Sequence, residues 1–344
     1  MKNKFLIGLI VFLMTVLFLL IVLAANLGPD DPSNVTTATP STGNTATTSP
    51  PTSATPESTL PPATTAPETT IPPTTAPPET TVPPTTVPSV QTPQGWEGIG
   101  LYTRAELEAL SNKKNPFGPG RTSNGVRPPY PVADQEKYGQ YAGNFIGPDN
   151  GKIYLTFDCG YEYTATNPDG STYRVTEKIL DILKEKGAKG VFFITIHYAE
   201  TQSDLIRRMI DEGHIVGNHT CNHPEMPDVS IDQMIYEVMT LHDYVRDRYG
   251  YEMFLFRPPT GAFSVRSLAV VQNLGYKNVH WSFAYSDWDT ENQPDHASSL
   301  KLITDSAHSG AIYLLHAIST TNASILGDAI DSLRAQGYEI DLFQ

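Results

Sequence analysis

The segment 152–160, KIYLTFDCG, decides the fold. Its first six residues, 152–157, form a short apolar run with aromatic and branched side chains, which predicts a buried strand. An aspartate follows at once, where such a strand should end. Since the carboxyl ends of the strands form the active-site face of an α/β barrel, this aspartate is the first candidate for a functional residue.

Similar short apolar runs recur along the rest of the chain, with segments of helical spacing between them. The other predicted strands are 190–195, 214–217, 253–256, 278–282, 311–315 and 338–342. The clearest predicted helices are 104–111, 175–186 and 231–249, the last with a capping box formed by Ser230 and Gln233. Alternating strands and helices predict a parallel α/β sheet with right-handed crossovers. Seven strands favour a distorted or incomplete (β/α) barrel, with an open sheet as the alternative.

Polar side chains stand at the carboxyl ends of five of these strands. They are Asp158 after the first strand, His219 and His223 after the third, Arg257 after the fourth, Asp287 after the fifth and His316 after the sixth. Each one alone is more often structural, but together they predict a hydrolytic site at this edge. The two histidines have i, i+4 spacing, which on a helical turn would place both imidazoles on one face, ready to share a metal ion.

The segments that carry these residues resemble the five motifs of the polysaccharide deacetylase family, the NodB-homology domain of carbohydrate esterases. The motifs read TFDCG at 156–160, HTCNH at 219–223, RPPTG at 257–261, SDW at 286–288 and LLH at 314–316. The resemblance covers about residues 150–344. Longer stretches, among them RPPTGAFS and GAIYLLHAISTTNA, resemble the branch that removes the acetyl group from muramic acid. Members of that branch act on peptidoglycan, so the resemblance implies this substrate.

The resemblance also implies how an N-acetyl amide would be hydrolysed. Asp158 would be the general base that takes a proton from water, with Arg257 holding it ionised. His316 would be the general acid for the departing amine. Asp287 would favour the protonated form of His316, because a nearby anion raises the pKa of an imidazole.

Metal binding and substrate binding are implied in the same way. His219 and His223 would hold a divalent metal, with zinc as the expected ion. A backbone N–H near Thr260 would complete an oxyanion hole. Leu314 and Trp288 would form the wall of the acetyl pocket, or would simply pack in the core.

The two cysteines of the chain both lie inside these motifs. Cys159 stands where the family usually has a metal-binding Asp, and a thiolate is a good zinc ligand, so it is a candidate third ligand. Cys221 lies between the two histidines, and in an oxidising compartment the two thiols can form a disulfide. A bridge, a ligand and two free thiols all stay open, with the bridge slightly favoured. Weak or absent metal binding is a further alternative, because the muramic branch also lacks that Asp.

The segments before the domain differ in character. Lys2 and Lys4 flank an uncharged apolar run, 5–25, long enough to span a bilayer, so 1–26 is predicted as a single-pass signal anchor or, alternatively, a cleaved signal peptide. Residues 27–95 contain no aromatic side chain and are predicted as a disordered Pro/Thr-rich linker. Residues 96–150 are predicted as an arm and 151–344 as the deacetylase domain. The domain would work outside the cytoplasm, bound to the membrane or secreted.

Composition limits the classes of function. The 344 residues carry a net charge of −14, from 23 basic and 37 acidic residues, which argues against nucleic acid as a partner. The expected partners are peptidoglycan or a related wall polysaccharide and, through the first helix, the membrane, with the protein a monomer. One alternative is a deacetylase of N-acetylglucosamine or another wall polysaccharide. The other is an inert wall-binding module, against which the complete acid–base set argues.

Overall fold

The computed structural model describes residues 98–344, so the predicted anchor and linker lie outside the described residues. The strands of this part are β1 Gly143–Asn144, β2 Lys152–Cys159, β3 Thr164–Thr166, β4 Thr172–Arg174, β5 Val191–Ile194, β6 Ile215–Asn218, β7 Leu255–Phe256, β8 Lys277–Val279, β9 Ala311–His316 and β10 Glu339–Asp341. Its α-helices are α1 Arg104–Ala109, α2 Pro129–Tyr138, α3 Val175–Glu185, α4 Ile196–Thr201, α5 Ser203–Asp211, α6 Ile231–Tyr249, α7 Val265–Asn273, α8 His296–Asp305 and α9 Thr320–Ala335. Among these residues no helix is long and apolar enough to cross a membrane.

The strands form an incomplete parallel barrel, as the sequence predicts. All seven predicted strands are present, as β2 and β5 to β10, and the short β1 adds a strand beside β8. The order is β1, β8, β7, β6, β5, β2 and β10, with β9 also paired to β2, and every pairing is parallel. The chain after β8 reaches β9 through a bridge between Phe283 and Tyr313. Strands β3 and β4 form a separate antiparallel hairpin just after the first motif.

The side chains of β2 alternate between two cores. Those on one face pack with helical residues in the outer core: Ile153, Leu155, Phe157 and Cys159. Tyr154, on the other face, belongs to an inner core made of strand and loop residues: Val191, Phe193, Ile215, Leu255, Val279, Trp281, Ile312, Leu314 and Phe343. Because successive side chains of a strand point to opposite faces, Thr156 and Asp158 share the inner face with Tyr154. Burial of each large apolar side chain contributes roughly 1.5–3 kcal/mol, so this alternation fixes the register of β2.

Helix α6 shows how the sequence specifies the outer layer. The Ser230 side chain caps the helix by accepting a hydrogen bond from the Gln233 amide, and Gly250 ends it with a left-handed φ of 66°. The predicted capping box is only half formed, because the Gln233 amide group donates to Glu237 instead of returning to the cap. The Gln233 side chain therefore supports the buried carboxylate of Glu237, one turn further along the helix.

The arm that precedes β2 packs along the helical layer and across the barrel. Helix α1 begins with a complete capping box between Thr103 and Glu106, close to the predicted start. Arg266 of α7 donates to backbone carbonyls at the end of α1, including that of Leu110. Asn115 then pairs with the backbone of Phe263, next to the RPPTG motif. These contacts bring the arm to the side of the barrel that carries the motifs.

Candidate active site

Asp158 and Arg257 form a buried ion pair at the carboxyl edge of the barrel. Arg257 Nη1 lies 2.8 Å from Asp158 Oδ1, and Nη2 donates to Thr156 Oγ1 at 2.7 Å. The guanidinium is fully buried and stacks over the Phe193 ring at 4.2 Å. Burial alone would raise the pKa of the Asp158 carboxyl, but Arg257 and the nearby imidazoles hold that pKa below its usual value. The structure therefore keeps Asp158 ionised and fixed in orientation.

His316 and Asp287 form the second charged pair. Asp287 Oδ1 lies 2.6 Å from His316 Nδ1, and Oδ2 accepts the His316 backbone N–H at 2.8 Å. Asn322 of α9 donates to the same Oδ2, so both carboxylate oxygens have partners. Burial tends to lower the pKa of His316, but Asp287 raises it above its usual value. Because Nδ1 faces Asp287, the Nε2 atom is the one left for a substrate.

His219 and His223 come together in a loop rather than on a helical turn. Thr220 and His223 have left-handed φ values of 69° and 57°, so the helical geometry predicted from the i, i+4 spacing is wrong. The two rings nevertheless lie side by side, with centroids 4.8 Å apart. His219 Nδ1 donates to the Arg257 carbonyl at 2.8 Å and Nε2 lies 3.5 Å from Asp158 Oδ2. Burial lowers the pKa of His219 to about 4, which leaves this imidazole neutral.

The prediction of Cys159 as a third metal ligand is wrong. Its side chain occupies the outer face of β2, fully buried in the core beneath the helices, whereas Asp158 occupies the inner face. Burial raises the pKa of the Cys159 thiol well above its usual value, which disfavours the thiolate that binds zinc. Among residues 98–344 no group of three or more His, Cys, Asp or Glu side chains is arranged to hold a metal ion. Catalytic zinc usually has three protein ligands, so the residues present do not complete such a site.

Of the three states left open for Cys159 and Cys221, the structure shows two free thiols and not the slightly favoured disulfide. Both thiols are free and buried. Cys221 belongs to the loop that Glu237 anchors, and burial raises the pKa of its thiol to about 12. Both side chains lie in the outer core, Cys159 on the outer face of β2 and Cys221 in the histidine-bearing segment, without a bond between them.

A cavity of about 680 Å³ opens at this edge and collects the predicted residues. Its lining consists of Asp158, Gly160, Tyr161, His219, His223, Thr260, Trp281, Ala284, Tyr285, Trp288, Leu314, His316 and Ile318. Leu314 is buried in the wall, while Trp288 is 54 % exposed and lies at the rim, its ring centroid 6.0 Å from that of His316. Thr260 has a left-handed φ of 58°, which strains a β-branched residue. The cavity is thus partly apolar, with the Asp158 carboxylate and the His316 imidazole in its walls.

Three supporting residues escape the sequence analysis. Glu237 accepts hydrogen bonds from the Cys221 and Asn222 amides, Thr156 accepts from Arg257, and Asn322 holds Asp287. A signal existed for Glu237, because a glutamate interrupts the apolar face of the 231–249 helix. Asn322 lies within the GAIYLLHAISTTNA stretch. Only the fold shows which group each one holds.

Comparison with known proteins agrees with this geometry. The family model described as polysaccharide deacetylase matches residues 146–279. The chain is 39 % identical over 236 residues to the peptidoglycan-N-acetylmuramic acid deacetylase PdaA of Bacillus subtilis, covering 68 % of this chain and 86 % of that protein. The solved structure of B. subtilis PdaA, a family 4 carbohydrate esterase, matches with a TM-score of 0.60 and 36 % identity, covering 67 % of this chain and 95 % of PdaA.

A more distant relative comes from Listeria monocytogenes. The peptidoglycan-N-acetylglucosamine deacetylase PgdA is 32 % identical over 190 residues, which cover 55 % of this chain and 37 % of that protein. The chain carries the five motifs on an incomplete parallel barrel, and it matches relatives of the same kind over most of their length. It belongs to the polysaccharide deacetylase family, carbohydrate esterase family 4, and is a hydrolase of the N-acetyl amide.

Proposed function

We propose that the protein removes the acetyl group from N-acetylmuramic acid residues of peptidoglycan and releases acetate. The observation that carries this proposal is the pair of oppositely tuned groups in one cavity. Asp158 is held as an anion by Arg257, and His316 is biased toward its cation by Asp287. Amide hydrolysis needs both forms at once, a base for the water and an acid for the leaving amine.

The reaction follows from these positions. Asp158 takes a proton from a water molecule, and the hydroxide attacks the acetyl carbonyl carbon to give a tetrahedral oxyanion. The C–N bond then breaks as His316 Nε2 gives its proton to the departing nitrogen, leaving acetate and a free amine. Backbone amides of the turn at Thr260, which lines the cavity, would stabilise the oxyanion. Leu314 would bound the space for the acetyl methyl group, with Trp288 at its rim.

The choice of N-acetylmuramic acid rests on similarity to PdaA over 86 % of that protein. A deacetylase of N-acetylglucosamine is the second candidate, favoured by the similarity to PgdA. An inert wall-binding module would not need the two charged pairs, Asp158–Arg257 and His316–Asp287, that meet at one cavity. The buried Arg257 keeps the Asp158 carboxyl ionised, which a general base requires, and this supports the enzymatic candidates.

Acetate release tests the reaction itself. Purified protein is incubated with stem-peptide-free glycan strands, with and without added zinc, and acetate is measured against the Asp158→Asn variant. Release by the wild-type protein and its loss in the variant support the proposal. No release by folded wild-type protein under either condition contradicts it.

We also propose that residues 1–26 anchor the chain in the membrane, with the domain on the outer side and 27–95 as the linker. The basis is the apolar run at 5–25 behind Lys2 and Lys4. Full-length protein should then stay with the membrane fraction after an alkaline wash. A fully soluble, shortened chain would instead indicate a cleaved signal peptide.

A further inference from the structure

A segment of the arm lies between two of the motif loops. We call residues 111–117 the strap; they precede the region that the family model matches, which begins at residue 146. The Asn112 side chain bonds to both loops at once. Its Nδ2 donates to the Pro227 carbonyl, in the chain that follows His223, and its Oδ1 accepts from Ser264 Oγ, just after the RPPTG motif, each at 2.8 Å.

Lys114 makes a second connection through charge. Its ammonium pairs with Glu225, and with Asp228 at 2.6 Å, both in residues 219–228, which we call the histidine loop. The other oxygen of Glu225 accepts a hydrogen bond from Thr260 Oγ1 at 3.0 Å. Lys114, Glu225 and Thr260 thus form a chain of contacts from the arm to the cavity wall.

The remaining strap residues support the turn at 259–261, which carries Thr260. Asn115 and Phe263 exchange two backbone hydrogen bonds, of 2.8 and 3.1 Å. The Phe117 ring packs edge-on against Trp281, with centroids 5.1 Å apart, and Phe117 Cβ would be 3.2 Å from a Cβ added to Gly261. The strap therefore fills the space behind the turn at 259–261.

This turn needs external support because of its backbone. Thr260 is a β-branched residue with a φ of 58°, a conformation that persists only when its surroundings enforce it. Its hydroxyl is held by Glu225, and Glu225 is held by Lys114. Exposed ion pairs contribute little to global stability, and Lys114 is 40 % exposed. The contacts are thus better placed to set local geometry than to keep the protein folded.

We propose that the strap is a positioning element of the active site, in which Asn112 and Lys114 hold the histidine loop and the Thr260 turn in register with Asp158. The inference rests on the proposed deacetylation, for which Thr260 forms part of the cavity wall. Neither residue lines the cavity; both act through Glu225, Pro227 and Ser264. Since small displacements of catalytic geometry cost large factors in rate, loosening the strap should reduce kcat more than it raises KM.

The kinetic experiment compares Asn112→Ala and Lys114→Met with Lys113→Met, which removes the neighbouring charge, and with Lys114→Arg, which restores it. We expect Asn112→Ala and Lys114→Met to lower kcat about threefold to tenfold with little change in KM or in Tm. Lys113→Met and Lys114→Arg should behave like the wild type. In a Thr260→Val background, which removes the hydroxyl that Glu225 holds, Lys114→Met should have a smaller effect, because only its contact with the histidine loop is then left to lose.

A second measurement does not depend on activity. Hydrogen exchange is followed in residues 219–228 and 257–264, where Asn112→Ala and Lys114→Met should speed exchange in both segments and Lys113→Met in neither. Equal kcat values for Lys114→Met and Lys113→Met in an active enzyme overturn the inference while the proposed function stands. If the wild-type protein releases no acetate, the proposed function fails, and unchanged exchange in the two segments then overturns the strap as well.

Discussion

Asp158 and His316 face one cavity, and each has a partner that sets its charge. Arg257 keeps the Asp158 carboxyl ionised although the group is buried, and Asp287 keeps His316 basic enough to carry a proton. If Asp158 faced the carboxylate and His316 faced the guanidinium, the carboxyl would tend to be protonated and the imidazole neutral, which are the wrong states for amide hydrolysis. At the residue scale, the proposed chemistry therefore depends on the two charged pairs and not on Asp158 and His316 alone.

Removal of the proposed acid should be the cleanest single change. We expect His316→Ala to lower the rate of acetate release roughly 10²–10⁴-fold, because the leaving amine loses its proton donor. The fold should persist, since the side chain lies at the cavity surface. The exposed His296 in α8 offers the control, and His296→Ala should keep full activity. Equal activity of the two variants would contradict the role of His316.

The pH profile of kcat/KM should show the influence of Asp287. As the proposed acid, His316 must be protonated, so activity should fall as pH rises through its pKa, which burial tends to lower but Asp287 raises above the ordinary value of an imidazole. The Asp158 limb should lie on the acid side, because Arg257 and the nearby imidazoles outweigh burial and lower the pKa of this carboxyl. Asp287→Asn removes the anion and should move the basic limb to lower pH while the acid limb stays. A basic limb that does not move would show that Asp287 does not control His316.

Substitution of Cys159 tests whether its side chain points into the outer core or toward the two histidines. Cys159→Asp would bury a carboxyl group in the outer core beside Glu162 and Asp158, where burial, and then these two carboxylates, already raise the pKa of the Cys159 thiol. We expect the free energy of unfolding in urea to fall by about 3 kcal/mol, with no gain in zinc affinity. Cys159→Ala is the control and should lose much less. Tighter zinc binding by the Asp variant would show instead that position 159 reaches His219 and His223.

At the scale of single elements, the strands could be predicted and the loops could not. Seven apolar runs predicted seven strands because burial on both faces gives a run of apolar residues in any parallel sheet. The i, i+4 spacing of His219 and His223 did not predict their loop, since the left-handed residues at 220 and 223 are not glycines. The direction of Cys159 could have been obtained from period-2 alternation, counted from Asp158.

Glu237 is the element-scale residue that holds the histidine loop. It is buried in α6, and its carboxylate accepts from two backbone amides, Cys221 and Asn222. Glu237→Ala leaves these donors unpaired and should lower the free energy of unfolding by about 2–3 kcal/mol, with reduced acetate release. The exposed helical Glu136 gives a matched control, and Glu136→Ala should change neither quantity. Similar stability of the two variants would contradict the anchoring role.

At the scale of the whole molecule, the fold brings distant motifs to one edge. Asp158 and His316 are directly paired residues of β2 and β9, although 158 positions separate them along the chain. The sequence indicates that each motif follows a strand, and a parallel barrel then makes their convergence inevitable. The sequence does not indicate the strap, because the side chains that make its contacts follow no repeating pattern along the chain. Such pairings are visible only once both loops have been placed.

Removal of the acetyl group from N-acetylmuramic acid residues is tested most directly by analysis of the products. Stem-peptide-free glycan strands are treated with the protein, digested to disaccharides and analysed by tandem mass spectrometry, which assigns the lost acetyl group to one of the two sugars. We expect a free amine on muramic acid after treatment with the wild-type protein and none after treatment with the His316→Ala variant. A free amine on glucosamine alone, or an unchanged digest, would contradict this expectation.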